Sequence, residues 1–173
     1  KLASTSATDF SSAADWGAAV GGEAALASLF ADPTRPLTLD IGCGYGCGPL
    51  IYARSARGEG ENVLGCDLSA GGISFARGLA TRWDVDHRCA FVRDDARAVL
   101  RRVREAYPGC VHRIILSCPT PYASVHDADD DEEATHGSGN SQLPASPRAA
   151  SFLGNEEVIE DMAACLAPGG ALY

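Results

Sequence analysis

The chain has 173 residues, 46% of them hydrophobic, and a formal net charge of −9. That length suits one domain with a substantial core. With no run of about 18 apolar residues and no basic-then-apolar leader, a membrane partner is not expected and a soluble protein of the cytoplasm or nucleus is. Six acids crowd between Asp127 and Glu133, and outside that run the balance is only mildly acidic, which is not the basic surface that holds nucleic acid. Seven cysteines without a Cys-x-x-Cys pair or a histidine at ligand spacing read as free thiols in a reducing compartment, with no metal expected. The chain starts with Lys1 and stops just after Gly169-Gly170, so it reads as a piece with natural ends missing.

Residues 1–36 read as an N-terminal unit: a loose Ser/Thr/Ala-rich stretch, then one or two lid-like helices from Ser12 to Phe30 anchored by Trp16, Val20, Leu26 and Leu29. Asp32 to Pro36 ends it. From Leu37 the pattern changes to short apolar runs alternating with helical spacing. Leu37–Ile41 alternates as a first strand and runs into Asp40-Ile41-Gly42-Cys43-Gly44-Tyr45-Gly46, with Pro49 near the first turn of a helix over 49–57. Three glycines two apart let the backbone approach a ligand closely, so this loop is the candidate cofactor site.

The second strand is 62–67, ending in Asp67, and Ser69 caps a helix with Ile73, Ala76, Ala80 and Trp83 at helical spacing. A third strand, 89–93, leads to Asp94 or Asp95 as the cap of a helix whose inner face is Ala96, Val99, Leu100 and Val103; Arg97, Arg101 and Arg104 form its solvated face. The fourth strand, 111–117, carries Ile114-Ile115-Leu116, expected to be buried on both sides. His87 and His112 stand at strand borders as ordinary surface residues. Between Pro119 and Ala150 periodicity stops, and a flexible acidic loop is expected there. A last helix near 155–167 shows Val158, Ile159, Met162 and Leu166 on one side, and Pro168-Gly169-Gly170 turns into a fifth strand at Ala171-Leu172-Tyr173. Strands alternating with helices of this length predict an α/β fold, a Rossmann-like doubly wound, mostly parallel sheet with helices on both faces over 37–173.

The glycine spacing separates two cofactors. A dinucleotide fingerprint needs glycine at the sixth position from Gly42, where Cys47 stands, and an NAD-dependent dehydrogenase fits poorly. An acid, one residue and Gly-x-Gly-x-Gly resembles the first motif of class I S-adenosylmethionine-dependent methyltransferases. The resemblance implies S-adenosylmethionine as cofactor and a sheet of seven strands, the last two lying beyond Tyr173. It also implies that the loop Gly42, Cys43, Gly44 and Gly46 passes under the amino-acid end of the cofactor with Asp40 close by. Asp67, with Leu68, then meets the ribose, and Asp95, with Ala96, meets the adenine. Asp67 could otherwise begin a turn, and Asp95 could simply cap its helix.

At the end of strand four, Ser117-Cys118-Pro119-Thr120-Pro121-Tyr122 resembles the Pro-Asp-Pro-Trp segment of the tRNA (guanine-N7)-methyltransferase family, as do Leu39 to Gly44, Val92 to Ala96 and Phe152-Leu153 with Leu166 to Gly170. The resemblance implies guanine-N7 methylation of tRNA, with Ser117, Thr120 and Tyr122 as catalytic candidates and Ser117 also near the cofactor. Thr120 stands where that family has Asp and Tyr122 where it has Trp. An acid run replaces the family's basic stretch, so a basic partner subunit is implied for RNA binding. Two other readings stay open: an amino-group methyltransferase acting on adenine or glutamine, from Ser117, Pro119, Pro121 and Tyr122 as a stretched Ser-Pro-Pro-aromatic motif, and a non-catalytic methyltransferase-like interaction module.

Overall fold

The computed structural model describes residue 26 and residues 28–117 and 154–173. Its elements follow in the order β1 (Leu37–Ile41), α1 (Cys47–Arg54), β2 (Asn62–Asp67), α2 (Ala70–Arg82), β3 (Cys89–Arg93), α3 (Ala96–Ala106), β4 (Val111–Leu116), α4 (Glu156–Cys165) and β5 (Ala171–Leu172). The five strands form one sheet in the order β3-β2-β1-β4-β5, with every pairing parallel. This is the doubly wound sheet expected from the alternating pattern. The helices expected over 12–25 and the acidic loop over 119–150 lie outside the described residues.

Parallel strands need helical crossovers, so both faces are covered and each face builds its own core. On one face α3 and α4 bury Val99, Leu100, Val103, Val158 and Met162 against Leu37, Leu39, Ile41, Leu64, Val92 and Ile114. Each such side chain contributes about 1.5 to 3 kcal/mol of hydrophobic burial. Leu26 and Phe30, from the unit before β1, join this core, and Phe30 packs edge-to-face on Tyr107. On the other face α1 and α2 close over β2 and β3 through Leu50, Ala53, Val63, Ile73, Ala76 and Phe91.

Three local expectations change. β1 does not alternate between core and solvent: all five residues are buried, Thr38 and Asp40 included. β4 is buried on one side only at its end, with Ile114 in the core and Ile115 and Leu116 half-buried. The second core lies over β2 and β3, not over Ile115. Arg97 is not merely solvated, since its guanidinium holds Glu157 at 2.9 Å and Asp161 at 3.1 Å and ties α3 to α4.

Where β1 and β4 meet, the register shifts between Leu37 and Thr38, so that Thr38 pairs with Arg113 and His112 is the extra, exposed residue. Arg113 thereby turns toward α1. Its Nη1 donates to Thr38 Oγ1 at 3.2 Å, to the Tyr52 hydroxyl and to Glu61 Oε2 at 3.3 Å. Glu61 also accepts from Thr38 Oγ1 at 2.6 Å and from the Tyr52 hydroxyl at 3.0 Å. The polar side chains that β1 and β4 carry here are thus satisfied by one another, as burial requires.

The bend from β1 into α1 depends on close packing. Gly46, the N-cap of α1, has φ 72, and a Cβ there would lie 2.6 Å from both Ala76 Cβ and Phe91 Cε1. Gly46→Ala combines a left-handed backbone with overpacking, and is expected to cost about 3 kcal/mol in urea unfolding. Gly44→Ala, where a Cβ meets nothing within 4 Å, is expected to cost about 1 kcal/mol.

Candidate functional site

The sheet order sets the site. With β3, β2, β1 and β4 side by side and all parallel, their carboxyl ends bring Asp95, Asp67, the loop after Asp40 and Ser117 to one edge. Open α/β sheets bind ligands at that edge, where the order reverses direction; here that point lies between β1 and β4.

The loop is held from below. Gly42 and Cys43 both donate their N–H to the carbonyl of Cys66, at 2.9 and 3.0 Å, so the chain leaving β1 stays on β2 for two residues. Gly42, Gly44 and Gly46 all take positive φ, at 74, 56 and 72. Alternating left-handed glycines let the backbone take turns that L side chains rarely adopt. Cys43 turns inward, its Sγ standing 2.9 Å from the position a Gly65 Cβ would take. Of the expected loop contacts, Cys43 therefore offers its main chain and packs its thiol beneath.

Asp67 grips the loop from β2. Its Oδ2 accepts from the N–H of Gly44 and its Oδ1 from the N–H of Ser69, both at 2.8 Å. One carboxylate thus joins the glycine loop to the start of α2, and each oxygen keeps a further lone pair. Leu68 follows as an exposed apolar side chain. Its carbonyl accepts from Arg93 Nε at 3.0 Å. Sequence reasoning missed this hold on the Leu68 main chain, for which the Asp67–Arg93 register of β2 and β3 would have been needed.

Asp95 settles the choice of cap: its Oδ1 accepts from the N–H groups of Arg97 and Ala98, at 2.9 and 3.3 Å. Both cap bonds use one oxygen, so Oδ2 is left over from the cap. Ala96 begins α3 with its methyl in the core, and only its main chain can face a ligand. Asp94 accepts from the N–H of Asp95 and stands 3.8 Å from Arg102. Ser117 is exposed just past β4, while Thr120 and Tyr122 lie outside the described residues.

Asp40 is the unusual group. It is 6% exposed, and its Oδ1 has no hydrogen-bond partner among the described residues. Burial pushes its carboxyl up to about 6, and the negative charge of Asp67 adds to the rise. A Cβ on Gly48 would stand 3.2 Å from Asp40 Oδ2, so glycine in the first turn of α1 leaves room for this carboxylate. Sequence reasoning also missed Gly48, since its role rests on the approach of α1 to the Asp40 side chain, which glycine spacing does not show. The thiols nearby are pushed up, Cys43 and Cys66 first by burial and then by neighbouring charge, and burial takes Cys89 up to about 12. They remain thiols, not nucleophiles. Among all six described cysteines only Cys66 and Cys89 are fully buried, while Cys47 and Cys110 are exposed.

No protein-family model matches the sequence, and no curated protein matches it either. Among solved structures, PKMT2 from Rickettsia typhi in complex with AdoHcy matches with a TM-score of 0.51 at 18% identity, over 81% of this chain and 20% of that one. The chain has the class I methyltransferase fold. A SAM-dependent methyltransferase from Thiobacillus denitrificans in complex with S-adenosyl-L-homocysteine matches at 0.49 and 19% identity, over 87% of this chain and 46% of that one. One from Geobacter sulfurreducens, also with S-adenosyl-L-homocysteine, matches at 0.47 and 20%, over 80% and 40%. The chain spans less than half the length of each of these three proteins.

In this methyltransferase fold the burial of Asp40 carries a cost. Its raised carboxyl means that the folded chain holds a proton which the unfolded chain releases near 3.8. Stability therefore falls as pH climbs from about 4 to about 6 and stays lowered above that range. Asp40→Asn removes the buried charge. It is expected to raise the stability of the ligand-free chain by about 2 kcal/mol at pH 7.5 and by progressively less toward pH 4, as read from denaturant midpoints at each pH.

Proposed function

We propose that the chain is an S-adenosylmethionine-dependent methyltransferase. The observation that carries the reading is the loop edge itself: three left-handed glycines, with open space where a Gly44 Cβ would stand, flanked by the buried Asp40 Oδ1, which has no hydrogen-bond partner among the described residues, and by Asp67 at the end of β2. The donor set fits the cofactor. Asp40 Oδ1 needs a donor, which the ammonium of the amino-acid end provides. Asp67 has lone pairs to accept from ribose hydroxyls, and the apolar Leu68 side chain suits a purine face. Asp95 Oδ2 suits the adenine amino group. The first turn of α1 has neither an acid nor a side-chain cap, which favours the cofactor's carboxylate near its N–H groups.

When bound, S-adenosylmethionine supplies a methyl group on a sulfonium, open to direct displacement by a nucleophile. The work of the chain is placement and exclusion of water. Asp40 and the loop fix one end of the ligand and Asp67 the other, so that the reacting centre faces the end of β4 and Ser117. Alignment of that kind supplies most of the rate gain in a displacement reaction.

For the acceptor we propose guanine N7 in tRNA, supported by the Ser117 to Tyr122 segment and its flanking phrases. A ring nitrogen with an in-plane lone pair requires no deprotonation, so the reading asks for no general base. The carboxylates from Asp127 to Glu133 repel RNA phosphate, and a basic partner subunit that supplies the cations belongs to the same proposal.

Calorimetric titration with S-adenosylmethionine, S-adenosylhomocysteine and NAD tests the cofactor. The first two are expected to bind saturably and NAD not at all. Asp67→Ala is expected to weaken their binding by about tenfold or more while the chain stays folded by circular dichroism; unchanged affinity removes Asp67 from the ribose. For the acceptor, Thr120→Asp is expected to raise methyl transfer to guanine N7 in tRNA supplied as substrate. Unchanged transfer in a chain that binds the cofactor moves the acceptor elsewhere.

A further inference from the structure

We infer that Arg93 is a positioning residue for the base of the cofactor, and that it acts through Leu68. The inference rests on the cofactor reading above and assigns a residue that the reading does not use. β2 and β3 run parallel with Asp67 opposite Arg93, so the two strands deliver an anion and a cation side by side at the carboxyl edge. Both side chains end on the same peptide unit. Arg93 Nε donates to the carbonyl of Leu68 at 3.0 Å, and Asp67 Oδ1 accepts from the N–H of Ser69 at 2.8 Å.

The C=O and N–H of one planar trans peptide point opposite ways. A cation on one and an anion on the other therefore fix the rotation of the plane between Leu68 and Ser69, and each bond is charge-assisted. A flip of this plane breaks both bonds at once. Leu68 stands between the end of β2 and that held plane, so the direction of its Cβ is set from both sides. Its side chain is 44% exposed and belongs to neither core among the described residues, so packing does not hold it. The main chain does, and Arg93 supplies the part of the hold that comes from β3. Without Arg93, Asp67 still grips Gly44, but the plane swings about its one remaining bond. The apolar surface under the base then leaves its place, while the ribose acceptor and the glycine loop keep theirs. The effect of Arg93 is thus confined to the base, and exists only while Leu68 has a side chain to place.

Two ligands and a double-mutant cycle test this by calorimetry on the intact chain. S-adenosylhomocysteine carries base, ribose and amino-acid end, and 5′-methylthioadenosine carries the same nucleoside without the amino-acid end. Arg93→Met keeps an unbranched apolar stem and removes every donor. It is expected to weaken both ligands by the same factor, about tenfold. Arg93→Gln puts an amide nitrogen as many bonds from the main chain as Nε, and is expected to recover part of that loss. In a Leu68→Ala background, Arg93→Met is expected to weaken neither ligand further. Arg93→Ala takes its place in the cycle where Arg93→Met does not fold, as judged by circular dichroism.

Unchanged affinity for S-adenosylhomocysteine in Arg93→Met overturns the positioning role and leaves the cofactor reading standing. So does a loss that adds in full to that of Leu68→Ala, which means that Arg93 acts elsewhere. A loss confined to S-adenosylhomocysteine moves the effect to the glycine loop, and Arg93→Gln binding no better than Arg93→Met removes the bond to the Leu68 carbonyl from the account; each overturns the inference. If the native chain binds neither ligand, the cofactor reading fails, and the inference fails with it.

Discussion

The Asp67 carboxylate is the interaction on which the rest of the edge depends. It bonds the N–H of Gly44 with one oxygen and the N–H of Ser69 with the other, so a single side chain sets the height of the glycine loop above the sheet and the start of α2. Both bonds are charge-assisted, which makes them shorter and stronger than bonds between neutral groups. Around that bridge the backbones come very close. A Cβ on Gly72 would lie 2.6 Å from the Gly44 carbonyl, and one on Gly65 would lie 2.7 Å from Phe91. Glycine at these places is a matter of clearance, as it is at Gly46, and the loop keeps its shape because the strands and α2 are pressed against it.

Rigidity of this kind explains how the edge can hold Asp40. A buried carboxylate without a partner would ordinarily relax toward solvent or recruit a donor. Here β1 lies in the middle of the sheet between β2 and β4, and Leu39 and Ile41 on either side of Asp40 are locked in the opposite core. The strand cannot rotate to free the carboxylate without expelling those two side chains, at about 2 kcal/mol apiece. The strain is local to one side chain, while the energy that maintains it is spread through two cores.

Much of this could be read along the chain because it is written locally. Alternating apolar runs and helical spacing located β1 to β5 and their helices, Ser69 and Asp95 were legible as caps, and the acids at three strand ends lined up with the loop. What could not be read depends on contacts between distant residues. Arg97 meets Glu157 and Asp161 across some sixty positions, and a helical face of arginines looks solvated until the partner helix is in place. Thr38 looked like the polar half of an alternating strand, and its burial became visible only once Arg113, Glu61 and Tyr52 were seen around it. The use of Asp67 by Gly44 and Ser69 belongs to the same class, since a sequence shows an acid at a strand end but not which donors have closed on it.

The distribution of thiols has a consequence for how the chain meets oxidants. Cys47 opens α1 at the surface, whereas Cys43, only four residues earlier, is tucked under the loop against β2 with its ionisation suppressed. Peroxide and disulfide reagents attack thiolates that they can reach. Oxidative damage at this edge therefore begins on its outer rim, at Cys47, while the sulfur that supports the loop from below stays reduced until the packing itself opens.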